Sequence, residues 1–305
     1  MQKFELTVLG CSSATPTSKR NPSSQFLNIA ERYFLVDCGE ATQIQLRKFK
    51  IKFQKINHIF ISHLHGDHYL GLMGLLSSMH LLGRTNELTL YCAPDLQKII
   101  ELQHQYSMTK LKYPIKYKYL RYDISEILYE DEKLLVETVI LNHRIPCCGF
   151  IFREKTGMRN LIQEKIEQYK IPKSQYLSIK QGIDFNADGG KMIKNSEITI
   201  APDEPRSYAY CSDTCYDESI LEKIANVNLL YHEATFMNDK RVRAAETYHS
   251  TTAEAGTIAK KANVKKLIIG HYSARYNNLE PMLTETKAVF ENTVLAIEGE
   301  KYEVE

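Results

Sequence analysis

The chain has 305 residues, of which 43% are hydrophobic and 25% charged, and its formal net charge is +2. This composition is that of a globular protein with a sizeable core, and it excludes a disordered chain, a collagen or a long coiled coil. No apolar run is long enough to span a bilayer and residues 1–5 lack the features of a signal peptide, so a soluble, cytoplasmic protein without a membrane partner is expected.

In chain order, residues 3–10 alternate polar and apolar side chains and end in Gly10, the pattern of an opening strand. A polar loop with Pro16 and Pro22 leads to strand-like runs from Gln25 to Ile29 and Arg32 to Val36, which stop at Asp37-Cys38-Gly39. A helical stretch near Ala41 to Phe49 precedes an apolar strand from Ile56 to Ile61. Leucines and methionines at helical spacing mark Tyr69 to Leu82, Leu88 to Cys92 reads as a strand, and Pro94 opens a helix running to about Gln105. Leu134 to Leu141 is a strand ending in Asn142-His143.

Residues 151–205 break this rhythm. Nine Lys or Arg stand against five Asp or Glu between Arg153 and Lys194, with Gly189-Gly190 and three prolines in the segment. It reads as an insertion into one domain covering residues 1–305, not as a second domain. Strands resume at Tyr208 to Cys211 and Leu229 to His232, followed by a helix from Thr252 to Lys261 and a strand from Lys266 to Ile269. Val294 to Ile297 and Glu300 to Val304 close the chain around a turn at Gly299. This mixed order suits an α+β fold of two sheets with helices outside them.

The seven cysteines are odd in number, dispersed and never in a C-x-x-C pair, which speaks against a disulfide framework. Cys211 and Cys215 alone have a spacing that a zinc site uses, with no second pair near them.

The strongest signal is Ser62-His63-Leu64-His65-Gly66-Asp67-His68, placed where an apolar strand gives way to a helix. A turn at that junction sends alternate side chains into one cleft, so His63 and His65 share one ion while Asp67 and His68 face a second. Imidazole with carboxylate suits zinc, and also manganese or iron. Two metals need further ligands. His143, Asp213 and His271 each follow an apolar run, at the strand ends where sheets commonly place active sites.

Asp37, His63-x-His65-x-Asp67-His68, His143, Asp213 and His271 together resemble the metallo-β-lactamase superfamily over nearly the whole chain. The resemblance implies a four-layer α/β/β/α sandwich with two Zn2+ ions at the edge between its sheets. His63, His65 and His143 would hold one ion, Asp67, His68 and His271 the other, and Asp213 would bridge them. Asp37 would stand behind the ligands and orient them, with His232 also assigned to that layer.

Four further segments narrow the reaction. Thr15-Pro16-Thr17-Ser18-Lys19-Arg20-Asn21, His232-Glu233-Ala234-Thr235, His249-Ser250-Thr251 and His271-Tyr272-Ser273-Ala274-Arg275-Tyr276 resemble motifs of the ribonuclease Z family, tRNA 3′-processing endonucleases. Read singly, Glu233 is a capping carboxylate and His249 a surface residue. Hydrolysis of a phosphodiester gives the pair a purpose, because the departing ribose 3′-oxygen needs a proton. The resemblance makes His249 the general acid, Glu233 the group that keeps it oriented and protonated, and Asp67 a ligand that also accepts a proton from the attacking water. The products would be a tRNA 3′-hydroxyl and a trailer 5′-phosphate.

Lys19, Arg20, Asn21, Ser250, Thr251 and Arg275 are then expected at the substrate. The basic insertion corresponds to the family's tRNA-clamping arm, with Lys155, Arg159 and Lys173 on phosphates, although the Gly-Pro usual at the arm's tip is replaced at best by Ile171-Pro172-Lys173. Homologues of this kind act on precursor tRNA as homodimers. The alternative is a metallo-hydrolase of a small phosphodiester, ester or thioester, which leaves the arm and the two His motifs without a role; a metal-stabilised RNA-binding protein would not need an acid.

Overall fold

The computed structural model describes residues 2–187 and 190–305; Met1, and Gly189 of the glycine pair in the insertion, lie outside them. The chain divides into two compact units, one made of residues 130–135 and 153–205 and the other of nearly all the rest.

The larger unit is built on two sheets. In the first, β1 (Phe4–Gly10), β2 (Ser24–Ile29) and β3 (Arg32–Cys38) run antiparallel, and β3 continues in parallel through β4 (His58–Phe60), β5 (Leu88–Cys92) and β6 (Ile115–Tyr119). Helices α1 (Thr42–Lys48), α2 (Gly66–Tyr69), α3 (Leu72–Leu81) and α4 (Pro94–Tyr106) lie in the connections. The second sheet begins with β7 (Ile127–Glu130), β8 (Leu134–Leu141) and β9 (Cys147–Glu154).

Most of the smaller unit follows β9 in the chain. It carries β10 (Asn160–Leu161), α5 (Gln163–Gln168), α6 (Tyr176–Lys180), β11 (Phe185–Ala187), β12 (Lys191–Ile193), α7 (Asn195–Ile198) and β13 (Thr199–Ile200). β10 pairs with β13 and β11 with β12. Ile166, Ile171, Ile179, Phe185, Ile193 and Ile198 bury one another in a core of this unit's own.

The second sheet is completed by β14 (Ser207–Cys211), β15 (Leu229–Glu233), β16 (Lys266–Gly270) and β17 (Thr293–Leu295), all parallel, in the order β17-β16-β15-β14-β9-β8-β7. Helices α8 (Arg241–Glu246), α9 (Thr252–Lys261) and α10 (Glu280–Lys287) lie between these strands in the chain, and β18 (Lys301–Glu303) returns to pair with β1.

The two sheets meet face to face: Phe34 and Phe60 of the first contact Phe152 and Phe150 of the second, with ring centroids 5.5 and 5.2 Å apart. Leu46, Leu72, Leu76, Met79 and Ile100 from the helices cover the other side of the first sheet through Leu35, Ile59 and Leu90. α9 and α10 cover β15, β16 and β17. Strands covered on both faces bury residues on either side, so β1, β2, β5, β14 and β15 are buried throughout, polar members such as Gln25, Thr89 and Glu233 included. The result is the α/β/β/α sandwich that the sequence resemblance implies.

Some elements differ from the sequence reading. β6, β7 and β9 carry no strand signal strong enough to be read: lysines interrupt β6, and β9 follows directly on a ligand loop. Residues 151–154 belong to β9. The helix expected from Tyr69 to Leu82 begins only at Leu72, because the short α2 ends at Tyr69 and the chain breaks at Gly71. The Gly71 amide donates to the Cys38 carbonyl at 2.9 Å, and a Cβ on Gly71 would stand 2.0 Å from the Gly39 carbonyl oxygen, so only glycine lets α3 approach β3 this closely.

Candidate active site

Strand ends from both sheets deliver the candidate residues to one edge. Ser24 pairs with Cys38 and Gln25 with Val36, which makes Asp37 the extra residue of a bulge. Asp37 (φ 55°) and His271 (φ 59°) both adopt the left-handed conformation that ordinary side chains avoid, turning the chain so that their side chains face the site. His63 and His65 lie between β4 and α2, Asp67 and His68 within α2, His143 after β8, Asp213 after β14, and Glu233 ends β15.

Two clusters of donor atoms result. His65 Nδ1 lies 3.1 Å from His63 Nε2 and 3.0 Å from His143 Nε2, while Asp213 Oδ2 stands 3.6 and 3.8 Å from those two Nε2 atoms. In the second cluster Asp213 Oδ1 lies 3.3 Å from His68 Nε2 and 3.2 Å from His271 Nε2, and Asp67 Oδ2 stands 3.5 and 3.2 Å from the same two atoms. Ligands at about 2.1 Å from a tetrahedral ion stand about 3.4 Å apart, which is the spacing of both clusters. His68 Nε2 and Asp213 Oδ1 are buried polar atoms without a hydrogen-bond partner, and they face each other across the second cluster. A cation between them satisfies both. The donor set fits divalent metal, with Asp213 Oδ2 standing in the first cluster and Oδ1 in the second.

Groups behind the ligands fix which ring nitrogen faces inward. His68 Nδ1 donates to Asp37 Oδ2 at 2.7 Å, and the same carboxylate accepts from the Ser62 amide, the Ser62 hydroxyl and Tyr210 Oη at 2.8, 2.9 and 2.6 Å. With its proton directed to Asp37, Ser62 Oγ accepts from His63 Nδ1 at 3.0 Å. His143 Nδ1 donates to the Tyr248 carbonyl at 2.9 Å, and His271 Nδ1 to Thr235 Oγ1 at 2.9 Å. Four histidines thus present Nε2 inward because Nδ1 carries the bonded proton; His65 alone presents Nδ1.

Glu233 is fully buried and accepts from the amides of Thr214, Thr235 and Ser250, from the Thr235 hydroxyl, and from His249 Nδ1 at 2.9 Å. These bonds hold Glu233 ionised and leave the His249 Nε2 edge free. His249 lines a cleft of about 360 Å³ together with His65, Asp67, His143, Arg144 and His271. Burial alone would lower the His249 pKa, but Glu233 beside it, together with Asp213 and Asp67, outweighs burial and raises it to about 9.

Electrostatics agree with metal binding. Burial, then the His143 imidazole, lower His65 to about 4, and burial followed by His68 lowers His63 well below its usual value, so both are neutral donors. Burial would also discharge His68, yet Asp213, Asp67 and Asp37 around it strongly favour a positive charge at that point. Burial opposes ionisation of Asp67 and Asp213, but the histidines around them, His68 foremost for Asp67 and His271 for Asp213, keep both carboxyls well below the carboxylate range.

Other sequence candidates are placed differently. His232 is buried with Nδ1 donating to the Glu233 carbonyl at 2.7 Å, and it belongs to neither metal cluster among the described residues. Arg20 donates to the Tyr276 carbonyl and Asn21 to Glu298, so both brace the loop before β2, whereas Lys19 is exposed. Ser250 Oγ donates to the Thr214 carbonyl, and Thr251 caps α9 in a capping box with Glu254, so both position His249. Arg275 is exposed, its guanidinium over the Phe236 ring. In the smaller unit Lys155 pairs with Glu130 at 2.6 Å, Arg159 donates to Thr199, and Lys173 is exposed. All seven cysteines are free, and neither Cys211 nor Cys215 joins a ligand cluster among the described residues.

Sequence reasoning missed Ser62, Tyr210 and Arg144. Ser62 adjoins the His motif, which was a usable signal. Tyr210 reads as an ordinary core residue of β14, and Arg144 as one more surface cation.

Comparison with known proteins agrees with this geometry. A family model described as Anti-Pycsar protein Apyc1 matches residues 4–121. A Phocaeicola vulgatus protein named Ribonuclease Z is 46% identical over 305 residues, covering 100% of this chain and 99% of that one. The crystal structure of the short form of human tRNase Z superposes with a TM-score of 0.70 at 25% identity, with 99% of each chain covered. A metallo-β-lactamase fold protein of Bacillus subtilis, 20% identical and covered in full, also gives 0.70 over 99% of this chain, a likeness of fold alone. The chain therefore has the metallo-β-lactamase fold and belongs to the ribonuclease Z family of metal-dependent endoribonucleases.

Proposed function

We propose that this protein is a zinc-dependent endoribonuclease that removes the 3′ trailer of precursor tRNA, leaving a 3′-hydroxyl on the tRNA and a 5′-phosphate on the trailer. The observation that carries this reading is the Glu233–His249 pair, 2.9 Å apart, beside two convergent ligand clusters. His63, His65 and His143 would hold one Zn2+, Asp67, His68 and His271 the other, with Asp213 shared; manganese fits the same donors. Two such ions, when bound, acidify a water and neutralise the oxygens of a phosphodiester.

The chain's own residues handle the protons. Asp67, ionised beside the cleft, accepts one from the attacking water. His249, its Nδ1 proton held by Glu233, gives its Nε2 proton to the departing ribose 3′-oxygen. Lys19 and Arg275, both exposed, would meet the RNA outside the cleft, while Ser250 and Thr251 act by placing His249.

The smaller unit is read as a tRNA-binding arm. Its exposed Lys170, Lys173, Lys191 and Lys194 would meet phosphates without reading sequence, whereas Lys155 and Arg159 hold the unit together. The protein would work as a homodimer in the cytoplasm; among the described residues no helix is long and apolar enough to cross a membrane.

The test is to incubate the zinc-loaded protein with a precursor tRNA carrying a 3′ trailer and, separately, with bis(p-nitrophenyl) phosphate. Cleavage at the trailer junction with the stated end groups is expected. Turnover of the small ester with intact tRNA would replace this reading with that of a small-molecule hydrolase.

A further inference from the structure

We propose that Arg144 and the outward edge of His65 form a subsite for one phosphodiester oxyanion of the bound RNA, beside the metal centre. The inference deepens the proposed function and rests on it for the identity of the polyanion.

The ring tautomers decide what this edge of the site can bind. His63, His68, His143 and His271 each give their Nδ1 proton to an oxygen of the chain: Ser62 Oγ, Asp37, the Tyr248 carbonyl and Thr235 Oγ1. His65 is reversed. Its Nδ1 is the atom within the cluster, so a neutral His65 that ligates a metal there carries its proton on Nε2.

The group facing that Nε2, at 3.2 Å, is Nη2 of Arg144. A guanidinium has five donors and no acceptor. Once His65 binds through Nδ1, Nε2 carries a proton and no longer accepts from Arg144 Nη2, which leaves two donors 3.2 Å apart that an oxyanion beside them would accept from together. A carboxylate of the chain would also serve, but no described residue forms an ion pair with Arg144, which is exposed and lines the cleft with His65, His143 and His249.

Position adds to the chemistry. Arg144 directly follows the ligand His143, so its backbone is fixed by the strand end that supplies the metal site. Arginine's planar fork matches phosphate geometry and keeps its charge at every working pH. A phosphodiester whose neighbour is drawn to the metals would thus be held from a second side, aligning the strand for cleavage.

The test uses Arg144→Ala and Arg144→Lys in the full-length, zinc-loaded protein. Stopped-flow fluorescence anisotropy of a labelled precursor tRNA, read before turnover, gives Kd across a series of KCl concentrations, and plasma emission gives zinc content. Arg144→Ala should bind about tenfold more weakly with zinc unchanged. The slope of log Kd against log salt should shrink by about 0.7 to 0.9, the signature of one lost phosphate contact. Arg144→Lys should restore the slope and part of the affinity. An unchanged Kd and slope in Arg144→Ala would overturn the subsite, and so would loss of zinc, which would make Arg144 a prop for the ligands. If the wild type neither binds nor cuts precursor tRNA, the proposed substrate fails instead. The subsite is then judged on bis(p-nitrophenyl) phosphate: a raised KM in Arg144→Ala supports it, and an unchanged KM removes it.

Discussion

Glu233 Oε1 lies 2.9 Å from His249 Nδ1, while its other oxygen accepts from Thr235, whose hydroxyl in turn accepts from the ligand His271. One buried carboxylate thus orients both the candidate acid and a metal-cluster histidine. His249 belongs to neither of the two donor clusters that share Asp213, so its removal should separate chemistry from metal binding.

His249→Ala should retain both metals and the melting temperature of the wild type but lose about 10²- to 10⁴-fold in kcat on precursor tRNA, the range for one general acid. Zinc content by plasma emission and single-turnover rates check this. A near-normal kcat would remove His249 from the mechanism.

Glu233→Gln should move the alkaline limb of the pH–rate profile. Against the effect of burial, Glu233 foremost, with Asp213 and Asp67, raises the His249 pKa to about 9, so the protonated acid is present below that value and is lost as pH rises through it. Without the carboxylate the loss should begin at lower pH. Profiles of kcat from about pH 6 to about pH 10 report the limb directly, because they follow groups in the enzyme–substrate complex. A limb that stays in place would contradict the pairing.

Asp37→Asn should weaken metal binding by about 10- to 100-fold, the usual cost of losing a group that orients a ligand. Four donors converge on this carboxylate, from the Ser62 amide, Ser62 Oγ, Tyr210 Oη and His68 Nδ1, and an amide cannot accept all of them. Competition titration with a zinc chelator gives the affinity, and wild-type affinity would show that His68 needs no such support.

Combined Lys173→Ala, Lys191→Ala and Lys194→Ala should raise KM for precursor tRNA, flatten its salt dependence by about two to three units and leave kcat on bis(p-nitrophenyl) phosphate unchanged. These side chains are exposed in the smaller unit, so the melting temperature should not move. An unchanged KM for tRNA would argue that the arm does not bind it.

Much of this candidate site can be read from residue order, because its candidate ligands end strands whose apolar runs are unmistakable. Asp37, His143, Asp213 and His271 each follow such a run, and the edge where the strands end becomes the site. What sequence could not give is direction. His232 and Glu233 are neighbours in β15, and the period of two that separates strand faces sends Glu233 to His249 while His232 turns to a backbone carbonyl. Arg20, Asn21, Ser250 and Thr251 sit in motifs as expected, yet their polar atoms bind the chain itself. Tyr210 and Arg144 had no pattern to mark them, since each acts through a partner distant in sequence. β6 and β9 escaped for a related reason: their strand character comes from the neighbours they pair with more than from their own residues.

The most direct test of the account replaces the departing 3′-oxygen at the trailer junction of a precursor tRNA with sulfur. A thiolate leaves without protonation, so it needs no acid. The account predicts that the wild type to His249→Ala rate ratio, about 10² to 10⁴ on the natural linkage, collapses towards about one on the sulfur linkage. A ratio as large on sulfur as on oxygen would show that His249 does not protonate the leaving group, and the proposed division of labour between the metals and the Glu233–His249 pair would fall.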